Sequence, residues 1–199
     1  MTTSKRIFDL LFSMVGLVVL FPVMVMIAIL IRLCDRAPVF FVQERVGRYG
    51  KSFIMWKFRT MKDDRQPTAG RFDPGDTSRV TPLGRFLRKY KLDELPQLIN
   101  VVRGEMSLVG PRPEVRRWVT VYPERWNRVL TVVPGITDNA SLFYRKEEEL
   151  LHQSADPDQF YREMVLPGKL SLYEEYVDHH SLKGDILLIA RTIFCCLFK

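Results

Sequence analysis

The most prominent feature of the hydrophobic pattern is an uncharged apolar stretch near the amino terminus, at residues 10–31. A helix of that length can cross the hydrocarbon core of a bilayer, which is about 30 Å thick. Pro22 lies near its middle, where a proline removes a backbone hydrogen bond and bends the helix. A second apolar stretch, at residues 186–198, is too short to cross and predicts a helix that is buried or lies in the membrane interface.

Basic residues flank the first apolar stretch on both sides, with Lys5 and Arg6 before it and Arg32 and Arg36 after it. The positive-inside rule therefore indicates no preferred orientation. If both flanks lie on the cytoplasmic face, the segment enters the membrane and turns back at Pro22 as a re-entrant helix hairpin. The alternative is a kinked transmembrane helix with a short tail outside, and this stretch alone leaves both open.

The more polar middle of the chain alternates between strand and helix patterns. Strands are predicted at residues 39–42 and 53–58, joined by a turn at 47–51, and a further strand at 106–109. An amphipathic helix begins at Thr81-Pro82 and extends to residue 91, and another has Pro96 in its first turn and Gly104 at its end. Further segments are predicted as a polar loop at 62–78 and as helices at 123–132, 146–152 and 157–164. The pattern predicts an α+β, mostly helical fold with one domain after the membrane segment.

Charge and composition narrow the function classes. The chain has 199 residues, 47% hydrophobic and 27% charged, with a net charge of +7, which indicates an anionic partner such as a phosphorylated substrate, a membrane surface or nucleic acid. Cys34, Cys195 and Cys196 provide neither a disulfide framework nor metal-ligand spacing, so a reducing compartment is expected. His179-His180 lacks a visible third ligand. The sequence contains no Walker motif, dinucleotide-binding glycine fingerprint, zinc-site spacing or serine-elbow motif.

Two adjacent carboxylates, Asp93 and Glu94, are the first candidates for chemistry. They follow a basic run without an acid, made of Arg79, Arg85, Arg88, Lys89 and Lys91. Carboxylates at a helix start commonly do no more than oppose the helix macrodipole. Beside so many cations they also suit chemistry on a phosphate, since one can bind Mg²⁺ while the other attacks phosphorus.

Two other cations are candidates for binding a substrate phosphate. Arg112 lies between Pro111 and Pro113, a structural turn that would stiffen its backbone and present a guanidinium fork at low entropic cost. Lys57 ends the second predicted strand. The alternative for Arg112 is an incidental arginine in an exposed turn, and the alternative for Lys57 is an ordinary charge at a strand edge.

Several motifs in a fixed order identify a resemblance. They are KRIFD at 5–9, FVQERVG at 41–47, KFRTM at 57–61, LDELPQ at 92–97, GEMSLVGPRP at 104–113 and PGIT at 134–137. With these motifs the chain resembles the small monotopic phosphoglycosyl transferases, the catalytic domain of the bacterial sugar transferase family.

The resemblance implies transfer of a sugar 1-phosphate from a UDP-sugar to a polyprenol phosphate such as undecaprenyl phosphate. Asp93 would attack the sugar-linked phosphorus and release UMP, Glu94 would bind Mg²⁺, and Arg88 and Arg112 match positions associated with phosphate handling. Such an enzyme would start membrane glycoconjugate assembly.

The resemblance also implies the division of the chain and its place in the cell. Residues 1–36 would form the re-entrant membrane helix. Residues 37–199 would form a catalytic domain on the cytoplasmic face of the bacterial inner membrane, with helices 82–91 and 185–198 at the interface with the lipids. Nucleic acid is not an expected partner, and a homo-oligomer stays open.

The chain departs from the family pattern in two places. Phe21-Pro22 stands where many members have Ser-Pro, and residues 138–145 differ from the usual sequence after PGIT. No role is therefore carried over from the family to residues 138–145, and Arg145 is a candidate substrate contact. The rival classes are a membrane-anchored protein that binds anionic lipid or nucleic acid without catalysis, and a Mg²⁺-dependent phosphohydrolase.

Overall fold

A computed structural model describes residues 2–62 and 79–198, and within these the chain is mostly helical with two small β-sheets. The predicted loop at 62–78 lies outside the described residues except for Lys62. The helices are α1 (Thr3–Leu30), α2 (Pro82–Lys89), α3 (Gln97–Arg103), α4 (Arg116–Val119), α5 (Pro123–Val129), α6 (Asn139–Phe143), α7 (Glu147–His152), α8 (Pro157–Phe160), α9 (Leu166–His179) and α10 (Leu182–Leu197). The strands are β1 (Phe40–Val46), β2 (Ser52–Phe58), β3 (Ser107–Val109) and β4 (Gly135–Thr137).

The predicted hairpin is confirmed. Strands β1 and β2 pair antiparallel, with Phe40 opposite Phe58 and Val46 opposite Ser52, around a turn that contains Tyr49 at a positive φ of 56°. The second sheet is the parallel pair β3 and β4. Strand β4 was not predicted, because three residues carry too little pattern to show a strand whose partner lies elsewhere in the sequence.

Local signals place α2 and α3 as expected. The Thr81 hydroxyl accepts a hydrogen bond from the amide of Gly84 and caps α2. Gly104 ends α3 with a left-handed φ of 82°, which glycine adopts without strain. Leu87 on α2 is buried while Phe86 is 54% exposed, so the helix is amphipathic as predicted.

Helix α9 was not predicted, since the sequence pattern indicated no helix between residue 164 and residue 186. A π-helical turn, Tyr161–Val165, leads directly into α9, and Pro167 occupies the first turn of that helix, where a proline costs no hydrogen bond. The buried side chains of α9 pack with Trp118 and Trp126 in the largest hydrophobic cluster. Tertiary packing therefore stabilises a helix that contains Pro167 and Gly168, two residues that disfavour helix interiors.

Helix α1 runs through Pro22 without being divided by it. Among the described residues, the stretch Thr3–Asp35 alone is long and apolar enough to cross a membrane, and it is mostly unburied. The re-entrant hairpin stays a prediction. The exposed apolar side chains of α1 include Ile7, Leu11, Phe12, Val15, Val18, Val19, Phe21, Met26 and Ile29.

The amino-terminal end of α1 contacts the domain that follows it. Arg6 donates to the carbonyl oxygens of Val101 (2.7 Å) and Val102 (3.0 Å) on α3. Lys5 forms a buried ion pair of 2.6 Å with Asp185 on α10. These contacts hold the start of α1 against two helices of the domain.

The other end of α1 contacts the same domain. Ile27 and Ile31 are buried in a cluster with Phe58 at the end of β2 and Leu87 on α2. The predicted carboxy-terminal helix is also confirmed, as α10. Exposed apolar residues on α10 and at its carboxy-terminal end include Ile186, Leu187, Ile193, Phe194, Leu197 and Phe198.

Candidate active site

The two carboxylates lie in a tight turn and not inside a helix. Lys91, with a left-handed φ of 58°, turns the chain after α2, and Leu92–Glu94 forms a single 3₁₀ turn before α3. Asp93 and Glu94 are each 6% exposed. A carboxylate this buried needs cations or hydrogen-bond donors around it, since the desolvation of a charge is costly.

Glu94 meets two cations. Its Oε1 accepts from Lys57 Nζ at 2.8 Å and from Arg112 Nη2, and its Oε2 lies 3.4 Å from Arg112 Nη1. Burial alone would raise the pKa of Glu94, but Arg112 and Lys57 hold that pKa well below its usual range. In return Glu94 raises the pKa of Arg112, while burial lowers the pKa of Lys57.

Asp93 has a different environment. Its Oδ1 is buried and has no hydrogen-bond partner. Burial and the neighbouring Glu94 raise the pKa of Asp93, against the opposing charges of Lys57, Lys91 and Arg88. The structure therefore gives the two adjacent acids opposite properties, one neutralised by cations and the other with an unpartnered oxygen among cations.

The turn that carries Arg112 follows β3. Gly135 donates its amide to the carbonyl of Pro111 at 2.9 Å, and Gly110 donates to Thr137 at 3.1 Å. A Cβ on Gly135 would lie 2.1 Å from the amide nitrogen of Gly110, so only glycine permits this approach. The close packing against β4 fixes the backbone from which Arg112 reaches Glu94.

Arg88 reaches the site from α2. Its Nε donates to the Thr60 hydroxyl at 3.0 Å, two residues beyond the end of β2. Its charge is among those that act on Asp93. The structure thus brings together five of the predicted residues around one turn: Asp93, Glu94, Lys57, Arg88 and Arg112.

Comparison with known proteins identifies the family of the chain. The family described as "Bacterial sugar transferase" matches residues 1–199. The chain belongs to the bacterial sugar transferase family. It is an enzyme, a phosphoglycosyl transferase.

Three relatives indicate how far the similarity extends. The "Uncharacterized sugar transferase EpsL" of Bacillus subtilis is 43% identical over 194 residues, which cover 95% of this chain and 85% of the relative. The "UDP-N-acetylgalactosamine-undecaprenyl-phosphate N-acetylgalactosaminephosphotransferase" of Aeromonas hydrophila is 33% identical, over 95% of this chain and 42% of the relative. The "UDP-glucose:undecaprenyl-phosphate glucose-1-phosphate transferase" of Escherichia coli is 34% identical, over 96% of this chain and 39% of the relative. The last two proteins are thus more than twice as long as the region they share with this chain.

The donor set at the site fits Mg²⁺ only as an ion shared with a substrate. Within residues 2–62 and 79–198 no group of three or more His, Cys, Asp or Glu side chains could hold a metal. Lys57 and Arg112 occupy part of the roughly four lone-pair sites of the Glu94 carboxylate, and its Oε2 keeps one for a further cation. Mg²⁺ commonly binds one or two carboxylates and takes its other ligands from water and substrate phosphates, so this carboxylate suits it.

Other residues considered in the sequence lie away from this turn. His180 contacts the carbonyl of Val177 and stacks on Tyr176. Arg145 donates to the carbonyl of Cys195 near the end of α10. Neither contact involves the residues around Asp93 and Glu94.

Two residues that support the site were missed in the sequence, Thr60 and Asn100. Asn100 is fully buried on α3, accepts from the amide of Trp56 (3.2 Å) and donates to the carbonyl of Ile54 (2.7 Å), as a neighbouring strand would. This amide therefore attaches β2, and with it Lys57, to the helix that follows Glu94. Its signal in the sequence is a polar residue between the apolar positions Ile99 and Val101.

Proposed function

We propose that this enzyme transfers a sugar 1-phosphate from a UDP-sugar to a polyprenol phosphate, undecaprenyl phosphate by analogy with its named relatives, through a covalent intermediate on Asp93. The observation that carries the proposal is the difference between the two adjacent acids. Glu94 is neutralised by Lys57 and Arg112, whereas Asp93 presents a buried oxygen with no partner. Membership of the family supports the reaction class.

In the first step Asp93 Oδ1 attacks the sugar-linked phosphorus of the UDP-sugar. The bond from that phosphorus to the bridging oxygen breaks, and UMP leaves with the electron pair. A poorly solvated carboxylate without a hydrogen-bond donor is a better nucleophile than a hydrated one, since it loses no hydrogen bond in the attack. The product is a glycosyl phosphate joined to Asp93 as an acyl phosphate.

In the second step an oxygen of the polyprenol phosphate attacks the same phosphorus. The bond between phosphorus and Asp93 breaks, the carboxylate is restored, and a polyprenyl diphosphate sugar is released. Both steps bring an anion toward an anion, so positive charge around the phosphates is the main requirement for rate.

The cations around the turn meet that requirement. Lys57 and Arg112 share the carboxylate of Glu94, and Arg88 comes from the side of α2. A guanidinium has five N–H donors, so Arg112 can bind a phosphate while it keeps a bond to Glu94. Bound at Glu94, Mg²⁺ would neutralise further charge on the diphosphate and orient it.

We propose that the site lies at the cytoplasmic surface of the inner membrane and that α1 is re-entrant. The support is that both ends of α1 contact one domain, Lys5 with Asp185 and Ile27 with Phe58. A span would place these ends on opposite sides of roughly 30 Å of hydrocarbon. The exposed apolar faces of α1 and α10 would then bury in lipid and bring the site to headgroup level.

The test of the proposed function is the trapping of the intermediate. Purified protein is incubated with labelled UDP-sugars and Mg²⁺ without polyprenol phosphate, and mass spectrometry of the digest should find sugar phosphate on Asp93. Asp93→Asn should abolish both the adduct and the release of UMP. Asp158→Asn, a change in an exposed ion pair with Arg117, is the matched control and should keep both.

The outcomes separate the candidate reactions. An adduct elsewhere, or full UMP release by Asp93→Asn, would refute the role of Asp93. Steady release of free sugar 1-phosphate that polyprenol phosphate does not affect would indicate a phosphohydrolase. For topology, Thr2→Cys in a Cys34→Ser, Cys195→Ser, Cys196→Ser background should resist impermeant thiol reagents added outside intact cells, and labelling from outside would indicate a span.

A further inference from the structure

The end of β2 and the first turn of α2 fit together unusually closely. Thr60 is 7% exposed, and its carbonyl accepts from the amide of Thr81 at 3.0 Å. A Cβ on Gly84 would lie 2.1 Å from the carbonyl oxygen of Thr60, so α2 can approach this backbone only because residue 84 is glycine. The position of α2 relative to the strand is therefore determined at Thr60.

Arg88 lies four residues after Gly84, and residues four apart share a face of a helix. The contact of Gly84 with the Thr60 backbone thus brings the Arg88 side chain over the Thr60 side chain. The result is the hydrogen bond of 3.0 Å from Arg88 Nε to Thr60 Oγ1.

This bond has a consequence for the guanidinium. A guanidinium is planar, so an acceptor at Nε limits the rotation of the plane and with it the directions of the two Nη groups. Three residues before Thr60, the same strand end carries Lys57, which reaches Glu94 directly. The short segment 57–60 therefore supplies one cation, Lys57, and binds a second, Arg88, through the hydroxyl of Thr60.

We propose that Thr60 is a positioning residue of the active site, whose hydroxyl orients the Arg88 guanidinium for the phosphate that Asp93 attacks. The proposal rests on the proposed function for its catalytic consequence. The geometric part of the proposal is that the orientation of Arg88 depends on a hydroxyl at residue 60. That part can be tested by ligand binding, without catalytic turnover.

The test is a double-mutant cycle of Thr60→Val and Arg88→Gln. Valine keeps the shape of threonine and removes the acceptor. In the wild-type background Thr60→Val should lower kcat/KM for UMP release about tenfold, as expected for the loss of a hydrogen bond to a charged group. In the Arg88→Gln background the same change should alter kcat/KM by less than about twofold, because the orientation of Arg88 no longer matters.

Two further variants separate positioning from stability. Thr60→Ser restores the hydroxyl and should recover activity to within about threefold of wild type. Thr81→Val makes the same chemical change at the cap of the same helix, where the hydroxyl serves Gly84 and Asp35. It should lower the melting temperature, and its effect on kcat/KM should be the same with and without Arg88→Gln.

The proposal is overturned if Thr60→Val matches the wild type, or if its effect is equally large in the Arg88→Gln background. Thr60→Ala replaces Thr60→Val in the cycle if the valine variant does not fold. The same cycle is also measured as affinity for UDP with Mg²⁺ in Asp93→Asn protein, which should show the same coupling. If the affinities are coupled but wild-type protein shows no transfer to polyprenol phosphate, the role of Thr60 stands and only the proposed function fails.

Discussion

Removal of charge at Glu94 should destabilise this enzyme, whereas removal of charge at Asp93 should not, although the residues are adjacent and equally buried. In Glu94→Gln the neutral amide leaves Lys57 and Arg112 without their counter-charge. The side chains of these cations are 18% and 25% exposed, so water can restore only part of the lost solvation.

The magnitude follows from that burial. Removal of one partner of a buried ion pair typically costs about 3–5 kcal/mol, and partial exposure of both cations favours the lower end, about 3 kcal/mol. For a chain of this size each kcal/mol corresponds to roughly 2–4 °C in melting temperature, so a decrease of about 6–12 °C is expected.

Asp93→Asn removes a charge that its surroundings disfavour. Burial and Glu94 raise the pKa of Asp93, and its Oδ1 has no partner, so the ionised carboxylate destabilises the fold at neutral pH. Loss of that charge should leave the free energy of unfolding unchanged or raise it by up to about 1 kcal/mol, which corresponds to roughly 2–4 °C in melting temperature. In the proposed reaction the same change abolishes transfer.

Differential scanning fluorimetry of the purified proteins in one detergent at neutral pH measures both shifts. Asp158→Asn, in an exposed pair, sets the baseline and should stay within about 1 kcal/mol of wild type. If Asp93→Asn destabilises the protein as much as Glu94→Gln does, the two acids share one electrostatic role and the reasoning fails.

Two further predictions concern the titration of Asp93 and Glu94, and a third concerns Asn100. In the proposed reaction the attack requires ionised Asp93, so the acid limb of kcat/KM for UMP release should lie above the pKa of about 4 of an ordinary aspartate, and a limb at or below that value would contradict the raised pKa of Asp93. The depressed pKa of Glu94 means that its contribution to stability is complete above the unfolded value of 4.5 and is lost as pH falls through the folded pKa. Melting temperature should therefore fall more steeply with acid in wild type than in Glu94→Gln, and parallel curves would refute this. Asn100→Leu should cost about 2–4 kcal/mol by leaving the Trp56 amide and Ile54 carbonyl unpaired, measured as a lower melting temperature, and a near-neutral effect would show that these groups find other partners.

Elements with local signals were predictable from the sequence. The β1–β2 hairpin has strand-forming residues on both sides of a glycine-containing turn, and α2 has its own cap in Thr81. The left-handed end of α3 at Gly104 is a local property of glycine. Interactions between near neighbours in sequence determine such features, so no tertiary contact is needed to find them.

Elements that depend on distant partners were not predictable. Helix α9 contains Pro167 and Gly168, two poor helix formers, and it is stabilised because Leu166, Leu170 and Tyr173 pack into the main core. Strand β4 exists through its pairing with β3. Asp93 and Glu94 were expected at the start of a helix, and the left-handed Lys91 places them in a separate turn before α3.

By itself the sequence determined the chemical types at the site, namely two acids, several cations and a rigid turn around Arg112, together with an apolar segment long enough to enter a membrane. The sequence also identified the family, because the motif residues and their order are properties of the chain itself. Only the tertiary structure decided which cation contacts which acid: Lys57 and Arg112 meet Glu94, and Asp93 keeps an oxygen without a partner. The reason is that β2, the turn after β3 and the 3₁₀ turn are far apart in sequence, and the pKa of a carboxylate depends on the groups that folding places around it.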